Sequence, residues 1–177
     1  PATPQAPTPA PAPAAAASVR GEGENGAVIQ HRWEVFGAQP GARGPVAFVR
    51  DRHWDGLPLA VKTLRQRDDI PLTTQRKAIW HRTQEWRDLG EHPHLVSGYY
   101  TLEVGGRLRF FVHHVPARPL PVWLAGLAGP APLPRRLDLA IQLAAALELL
   151  QARLGAHGAL RPSSCLVADD DTLRLSP

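Results

Sequence analysis

Lys62 is the residue of this 177-residue chain whose type and surroundings most clearly suggest chemistry. It follows the apolar run Leu-Ala-Val at 59–61, so a strand there would hold an ammonium group among apolar side chains. Only Lys62 and Lys77 among the 20 basic residues are lysines. Lysine presents a compact point charge to phosphate, where arginine presents a planar fork. The residues alone leave two interpretations of Lys62 open, a phosphate-binding lysine and a solvated strand residue.

Two other polar clusters have residue types that can bind metal ions. Asp169, Asp170 and Asp171 form an acidic run, which we interpret as a solvated hairpin turn because Asp favours turns. His113 and His114 are adjacent in an apolar run. Neighbouring strand residues point to opposite faces, so this pair cannot chelate one ion. We therefore predict no metal site.

The charge balance excludes some classes of partner. The formal net charge is +4, from 20 Lys and Arg against 16 Asp and Glu, and the basic residues form no dense run. Because nucleic acids and membrane surfaces attract concentrated positive patches, we expect this chain to bind neither. No apolar run reaches the length of a membrane span, and we expect a cytoplasmic protein.

The counts of cysteine and methionine limit the possible disulfide and zinc sites and bear on whether the chain is part of a longer protein. Cys165 is the only cysteine, which excludes an internal disulfide framework and a Cys-based zinc site. The chain contains no Met, so we interpret it as a piece of a longer protein. Residues 1–26 are rich in Pro and Ala and are expected to form a disordered linker. We expect the whole chain to bind other domains of that longer protein or a signalling protein.

The elements that would position Lys62 come in an informative order. Hydrophobic periodicity and turn signals predict strands at 29–36, 46–50, 57–64, 95–104 and 107–115, helices at 73–89 and 135–154, and a short closing hairpin. Five strands, with one helix between the third and the fourth, would thus precede a second helix.

Three local patterns refine these elements. Thr73 and Thr74 are predicted to cap the first helix, one face of which would carry Ile79, Thr83, Trp86 and Leu89. Residues 115–121 contain too many prolines for a central strand or a helix. The leucine-rich helix at 135–154 is expected to be buried on most sides.

Several segments together resemble the protein kinase family, and most of all its bacterial serine/threonine members. Each segment matches one family motif, and they follow the family's order. They are the V-A-I-K strand at 59–62, the second half of the glycine-rich loop at Gly41, Gly44 and Val46, the turn after the kinase helix at 89–96, and the catalytic loop at 155–167.

The resemblance implies an α+β, protein kinase-like fold. A five-stranded antiparallel N-terminal lobe with one helix would occupy 27–115, and a hinge with the beginning of a helical C-terminal lobe would occupy 116–177. The chain is short for a whole kinase, so we expect the second lobe to be truncated.

The same resemblance implies a set of nucleotide-binding residues. The position of the family's helix glutamate falls on Arg82, and Glu85, one turn further on, is the candidate partner of the lysine. The implied set is Lys62, Gly41, Gly44, Val46, Ala60, Glu85 and Val115.

The resemblance fails at the residues that perform the reaction. Ala159 stands where the family has its catalytic aspartate, Ser164 where it has a metal-binding asparagine, and Pro177 where it has a second metal-binding aspartate. Alanine cannot accept a proton, and a serine hydroxyl is a poor substitute for an amide carbonyl.

The chain is therefore expected to be a pseudokinase that acts as a signalling scaffold or regulatory binding module, with weak ATP binding and little use for magnesium. Two alternatives stay open. One is an active ATP-dependent serine/threonine kinase with atypical catalytic residues. The other is a remnant of the fold that binds partners without nucleotide.

Overall fold

The structure, a computed structural model, describes residues 26–39, 45–64 and 71–177. The expected linker, apart from Gly26, lies outside the described residues, and so do Gly41 and Gly44. The described elements, in chain order, are β1 (Val28–Ile29), β2 (Trp33–Gln39), β3 (Val46–Asp51), β4 (Leu57–Thr63), α1 (Leu72–Arg87), β5 (Gly98–Val104), β6 (Arg107–His113), β7 (Ala117–Pro119), α2 (Leu120–Ala125), α3 (Leu133–Leu154), a 3₁₀ turn (Pro162–Ser164), β8 (Cys165–Ala168) and β9 (Leu173–Leu175).

An antiparallel sheet of six strands, in the order β1-β2-β3-β4-β6-β5, forms the N-terminal half. β4 lies inside it and pairs Lys62 with Val46 of β3 and with Phe110 of β6. Because side chains alternate along a strand, Ala60 and Lys62 share one face while Val61 points to the other. Ala60 and Phe110 pack toward the C-terminal half, so the face that carries Lys62 is the inner one.

The beginning of the sheet differs from the prediction of a single strand at 29–36. The structure has two strands there, β1 and β2, with a turn between them. Gln30 and His31 have φ angles of 49° and 57°, and a strand cannot continue through this left-handed region. The sheet therefore has six strands where five were predicted, while its antiparallel architecture with one helix is confirmed.

Helix α1 buries part of the predicted face: Thr83 and Trp86 are buried, while Ile79 and Leu89 are half-buried. The predicted caps are wrong. The N-cap is Pro71, with no side-chain cap, and Thr73 and Thr74 lie in the first turn. The carbonyl oxygen of Pro71 accepts the backbone N–H of Thr74 at 3.0 Å, so the helix begins before the residues that were expected to cap it.

The proline-rich segment after β6 contains an edge strand, which agrees with the exclusion of a central strand, and the beginning of a helix, which the sequence was expected to exclude. β7 ends at Pro119 and lies at the edge of a second sheet, in the order β7-β8-β9. An edge strand has a neighbour on one side only, so the N–H that proline lacks is not needed to pair with a second strand. Pro121 falls in the first turn of α2, where the helix does not use the N–H. The exclusion of a helix failed because proline is unfavourable in a helix interior and tolerated in the first turn.

Helix α3 is covered on one side rather than on most sides. Leu139, Ala146 and Leu150 are buried, whereas Leu137 and Ile141 are 52% and 66% exposed. Within the described residues α3 packs mainly on β9, so its opposite face has no covering element there. None of the described helices is long and apolar enough to span a membrane.

The inner face of the sheet is joined to the C-terminal half through β9. Leu175 accepts a hydrogen bond from the backbone N–H of Val96 and donates its own N–H to the carbonyl oxygen of His94, both at 2.9 Å. The cluster around this joint forms the larger core, and a second core covers the outer face of the sheet. The two halves thus face each other with a cleft between them.

Candidate functional site

A cavity of about 250 Å³ lies in this cleft. Its apolar lining comes from both halves of the chain: Val46, Phe48 and Ala60 from β3 and β4, Val112 from β6, and Leu166 from β8. An apolar lining with a few polar groups at one end is typical of a small-molecule site.

Lys62 lines this cavity from β4. Its Nζ donates to the Oγ of Ser176 at 2.5 Å and to the carbonyl oxygen of Pro177 at 2.6 Å. These contacts direct the ammonium group toward the segment that follows β9.

Arg82 reaches the same cavity from α1. Its Nη2 donates to the carbonyl oxygen of Ala156 and, at 3.2 Å, to that of His157. Glu85 lies on the same helix, and its carboxylate is 3.4 Å from Nδ1 of His81 and 3.5 Å from Nη1 of Arg82. The helix position expected to carry a carboxylate toward the cleft therefore carries a guanidinium.

The loop at 155–161 is held in place by His157. Its Nδ1 accepts the backbone N–H of Ala159 at 3.2 Å, and its Nε2 lies 3.1 Å from the carbonyl oxygen of Ser176. The ring also packs edge-on against Trp86 at 5.5 Å. Ser164 donates its hydroxyl to the carbonyl oxygen of Ala159 at 3.3 Å. The loop is thus ordered, and a methyl group stands at the position facing the cavity.

The segment at the end of β6 closes another side of the cavity. His113 lies 3.3 Å from the hydroxyl of Tyr99, while the ring of His114 packs edge-on against Phe48 at 4.6 Å. The two rings contact different neighbours, although both line the cavity. Burial lowers the pKa of both imidazoles, so both are neutral at pH 7.

Val115 follows these histidines and is nearly buried against the cavity. Its carbonyl oxygen accepts the N–H of Ala117 at 2.8 Å. In the described part of the chain no acceptor is assigned to the N–H of Val115, which leaves a backbone donor beside the apolar lining.

The acidic run forms the turn of the β8–β9 hairpin, as the sequence predicted, and does not line the cavity. Asp169 pairs with Arg118 at 2.8 Å and Asp171 pairs with Arg135. Asp170 accepts the backbone N–H of Thr172 at 2.9 Å. These contacts are those of a polar hairpin turn.

No protein-family model matches the chain, and no curated protein sequence matches it. Solved structures do. The kinase domain of PknI from Mycobacterium tuberculosis superposes with a TM-score of 0.72 at 19% identity, covering 86% of this chain and 60% of that one. A double mutant of the same domain gives a TM-score of 0.68 at 23% identity, covering 86% and 62%.

The chain has a protein kinase-like fold. The predicted resemblance to bacterial serine/threonine kinases is confirmed at the level of fold. The chain spans about three-fifths of the length of these kinase domains.

Most of the residues expected from the sequence meet in the kinase-like cleft. Glu85 is not among the described residues that line it. Gly41 and Gly44 lie outside the described residues. Those that line it are Val46, Ala60, Lys62, Val115, Ala159 and Ser164.

Sequence reasoning did not place Arg82 in the cleft. Its signal was present, because Arg82 occupies the position at which the resemblance expects a glutamate. The part played by Ser176 could not be seen from sequence, since a hydroxyl 114 residues from Lys62 becomes its neighbour only through the fold.

The described lining of the kinase-like cleft offers no carboxylate ligand for a magnesium ion. Magnesium takes oxygen ligands, usually including carboxylates. Among the described residues that line the cleft there is no Asp or Glu. The described part of the chain also contains no group of three or more His, Cys, Asp or Glu side chains that could hold a metal.

Proposed function

We propose that this chain is a catalytically impaired protein kinase-like domain, a pseudokinase. It acts through binding, as a scaffold or regulatory module in a larger bacterial signalling protein. The observation that carries the proposal is the methyl group of Ala159 in the cleft, at the position where the resemblance expects the catalytic carboxylate.

A carboxylate in this position would orient the substrate hydroxyl and accept its proton during phosphoryl transfer. Ala159 can do neither. Ser164 cannot take over, because its hydroxyl already donates to the carbonyl oxygen of Ala159. His157 cannot act as the base either, since the N–H of Ala159 and the carbonyl oxygen of Ser176 lie against both ring nitrogens.

Residual nucleotide binding is part of the proposal. The apolar lining suits a purine ring, and the N–H of Val115 could donate to it. Lys62 could reach a phosphate group, but it would have to exchange its contacts with Ser176 and Pro177 to do so. We therefore expect weak binding.

An active kinase with atypical residues is the second candidate. The observation in its favour is that Lys62 lines the cleft from the strand position at which the family carries its lysine. Such a kinase would need a group other than Ala159 to orient the substrate hydroxyl and accept its proton.

Calorimetric titration with ATP tests the binding function. We expect measurable but weak binding that Lys62→Ala reduces about tenfold, because a charge-assisted contact with phosphate is removed. Lys77→Ala is the matched control, since Lys77 is the other lysine of the chain and does not line the cleft. Equal losses in both variants would refute a specific role for Lys62.

A further inference from the structure

We propose that Arg82 is a latch that fixes helix α1 to the loop at 155–161, so that α1 keeps one position against the C-terminal half. Arg82 belongs to α1, in the N-terminal half, and stands where the resemblance expects a glutamate. The inference goes beyond the binding function proposed above and does not depend on the ligand of the cleft.

The latch consists of hydrogen bonds between one nitrogen of Arg82 and the backbone of the loop. Nη2 donates to the carbonyl oxygen of Ala156 and, at 3.2 Å, to that of His157. These two residues lie 74 and 75 positions further along the chain, so the contact joins the two halves. Because the donor is charged, each bond is stronger than a bond between neutral groups. Arg82 therefore supplies a direct link between α1 and the C-terminal half.

Glu85 supports the latch through the other terminal nitrogen of Arg82. Its carboxylate lies 3.5 Å from Nη1 of Arg82 and 3.4 Å from Nδ1 of His81. Residues three apart are neighbours on the surface of a helix, so Glu85 restricts the positions that the long side chain of Arg82 can adopt. The ion pair and the loop contacts use different nitrogens and are made at the same time.

The loop that accepts the latch is itself held in place. His157 accepts the backbone N–H of Ala159 at 3.2 Å through Nδ1, and its Nε2 lies 3.1 Å from the carbonyl oxygen of Ser176. Gly155 and Gly158, on either side of the accepting residues, have φ angles of 73° and 77°, which glycine adopts at little steric cost. The acceptors of the latch thus have fixed positions in the C-terminal half.

Trp86, one turn after Arg82, attaches α1 at a second point. Its ring packs edge-on against His157 at 5.5 Å, and its Nε1 donates to the carbonyl oxygen of Val96 at 2.9 Å. The N–H of Val96 in turn donates to Leu175, where β9 joins the two halves. Four residues of a helix rise about 6 Å. A helix held at one point can pivot, so the latch removes a rotation that Trp86 alone would allow.

The latch makes the position of α1 a property of the chain rather than of a bound ligand. Its acceptors are backbone carbonyl oxygens, which are present whether or not the cleft is filled. Glu85 contacts Arg82 and His81 and is not among the described residues that line the cleft. A protein that binds across α1 and the C-terminal half would therefore meet a surface that is already formed, and its binding would not carry the cost of ordering that surface.

The test is a distance measurement between α1 and α3 in the full chain. Spin labels are attached at Ala78→Cys and Ala152→Cys, since both alanines are exposed on their helices. The buried natural cysteine is removed by Cys165→Ala. Pulsed electron paramagnetic resonance then gives the distribution of distances between the labels. We expect one narrow distribution, and the same distribution after addition of ATP with magnesium.

Arg82→Gln should broaden this distribution or add a second distance, because a shorter, neutral side chain cannot hold both carbonyl oxygens. Amide hydrogen exchange at 155–159 should become about tenfold faster in the same variant, which corresponds to the loss of one charge-assisted hydrogen bond. Arg87→Gln is the matched control, since Arg87 is an exposed arginine of the same helix and pairs with its neighbour Asp88. It should leave both readouts at their wild-type values.

Two results would overturn the inference and leave the proposed function standing. One is a wild-type distance distribution and wild-type exchange in a folded Arg82→Gln variant. The other is a distribution that is broad in the wild-type chain, or that shifts when ATP is added. If Arg82→Gln does not fold, Arg82→Lys decides. The nitrogen of lysine lies one bond closer to the backbone and should also broaden the distribution, so an unchanged distribution would overturn the inference.

Discussion

Among single residues, Asp51 is held by the densest set of polar contacts on the outer face of the sheet. Its side chain is fully buried. It accepts hydrogen bonds from the guanidinium of Arg32 at 2.6–3.0 Å, from the hydroxyl of Tyr100 at 2.7 Å and from the N–H of His53 at 3.0 Å. Trp33 in turn donates to the Tyr100 hydroxyl at 3.0 Å. This cluster fixes the turn after β1 to the ends of β3 and β5.

Asp51→Ala should lower the free energy of unfolding by about 3 kcal/mol, because it leaves Arg32 and the Tyr100 hydroxyl without their buried acceptor. Urea denaturation measures this. The control is Glu103→Ala, which breaks an exposed pair with Arg76 and should cost less than about 1 kcal/mol. Similar losses in the two variants would show that the Asp51 cluster adds no special stability.

Asp51 also makes the free energy of unfolding depend on pH. Burial alone would raise the pKa of Asp51, but the hydrogen bonds from Arg32 and Tyr100 outweigh burial and hold it below its usual value. The stability that Asp51 contributes is therefore complete above about pH 4 and is lost as pH falls through the lower folded-state pKa. Between about pH 5 and pH 2 the wild-type chain should lose more stability than Asp51→Asn. Parallel loss in both would contradict this assignment.

The sequence predicted the positions of single site residues where a family motif surrounds them. Lys62 was found from its strand, and Ala159 from its loop. Arg32 and Asp51 were not paired from sequence, because they lie 19 residues apart and meet only when β2 and β3 align.

Among the elements, α3 offers an internal comparison of a covered and an uncovered face. Leu150 is fully buried, and Ile141 is 66% exposed on the same helix. Both residues are apolar and lie within α3, and the helix propensities of Leu and Ile differ by less than about 0.7 kcal/mol, so helix propensity contributes little to the difference between them.

Leu150→Ala should lower the free energy of unfolding by about 2–5 kcal/mol, since it leaves a cavity in the core. Ile141→Ala should change it by less than about 0.5 kcal/mol, because an exposed side chain loses few contacts. Thermal or urea unfolding followed by circular dichroism compares the two. A large loss in Ile141→Ala would mean that this face is covered in solution.

The elements were largely predictable because their periodicity is strong. Helices predicted at 73–89 and 135–154 are found as Leu72–Arg87 and Leu133–Leu154. The failures have local causes. Left-handed backbone at Gln30 divided a strand, and the prolines at 119 and 121 occupy an edge strand and a first helical turn.

For the molecule as a whole, the order of elements predicted the architecture, and the fold comparison confirms it. That Ala159, Ser164 and Pro177 replace the catalytic and metal-binding residues of the family stays a prediction from the sequence. The sequence could not predict the charge of the assembled cleft. That charge depends on Arg82, Arg161 and Lys62 coming together from a helix, a loop and a strand, while the acidic residues of the hairpin turn pair elsewhere.

We propose that this kinase-like cleft does not catalyse phosphoryl transfer. The most direct measurement is transfer of labelled phosphate from ATP, with magnesium, to general protein substrates and to the protein that carries this chain. We expect no transfer above that of a heat-inactivated control, because Ala159 cannot accept the substrate proton. Robust magnesium-dependent transfer that is abolished by Lys62→Ala and retained by Lys77→Ala would contradict it.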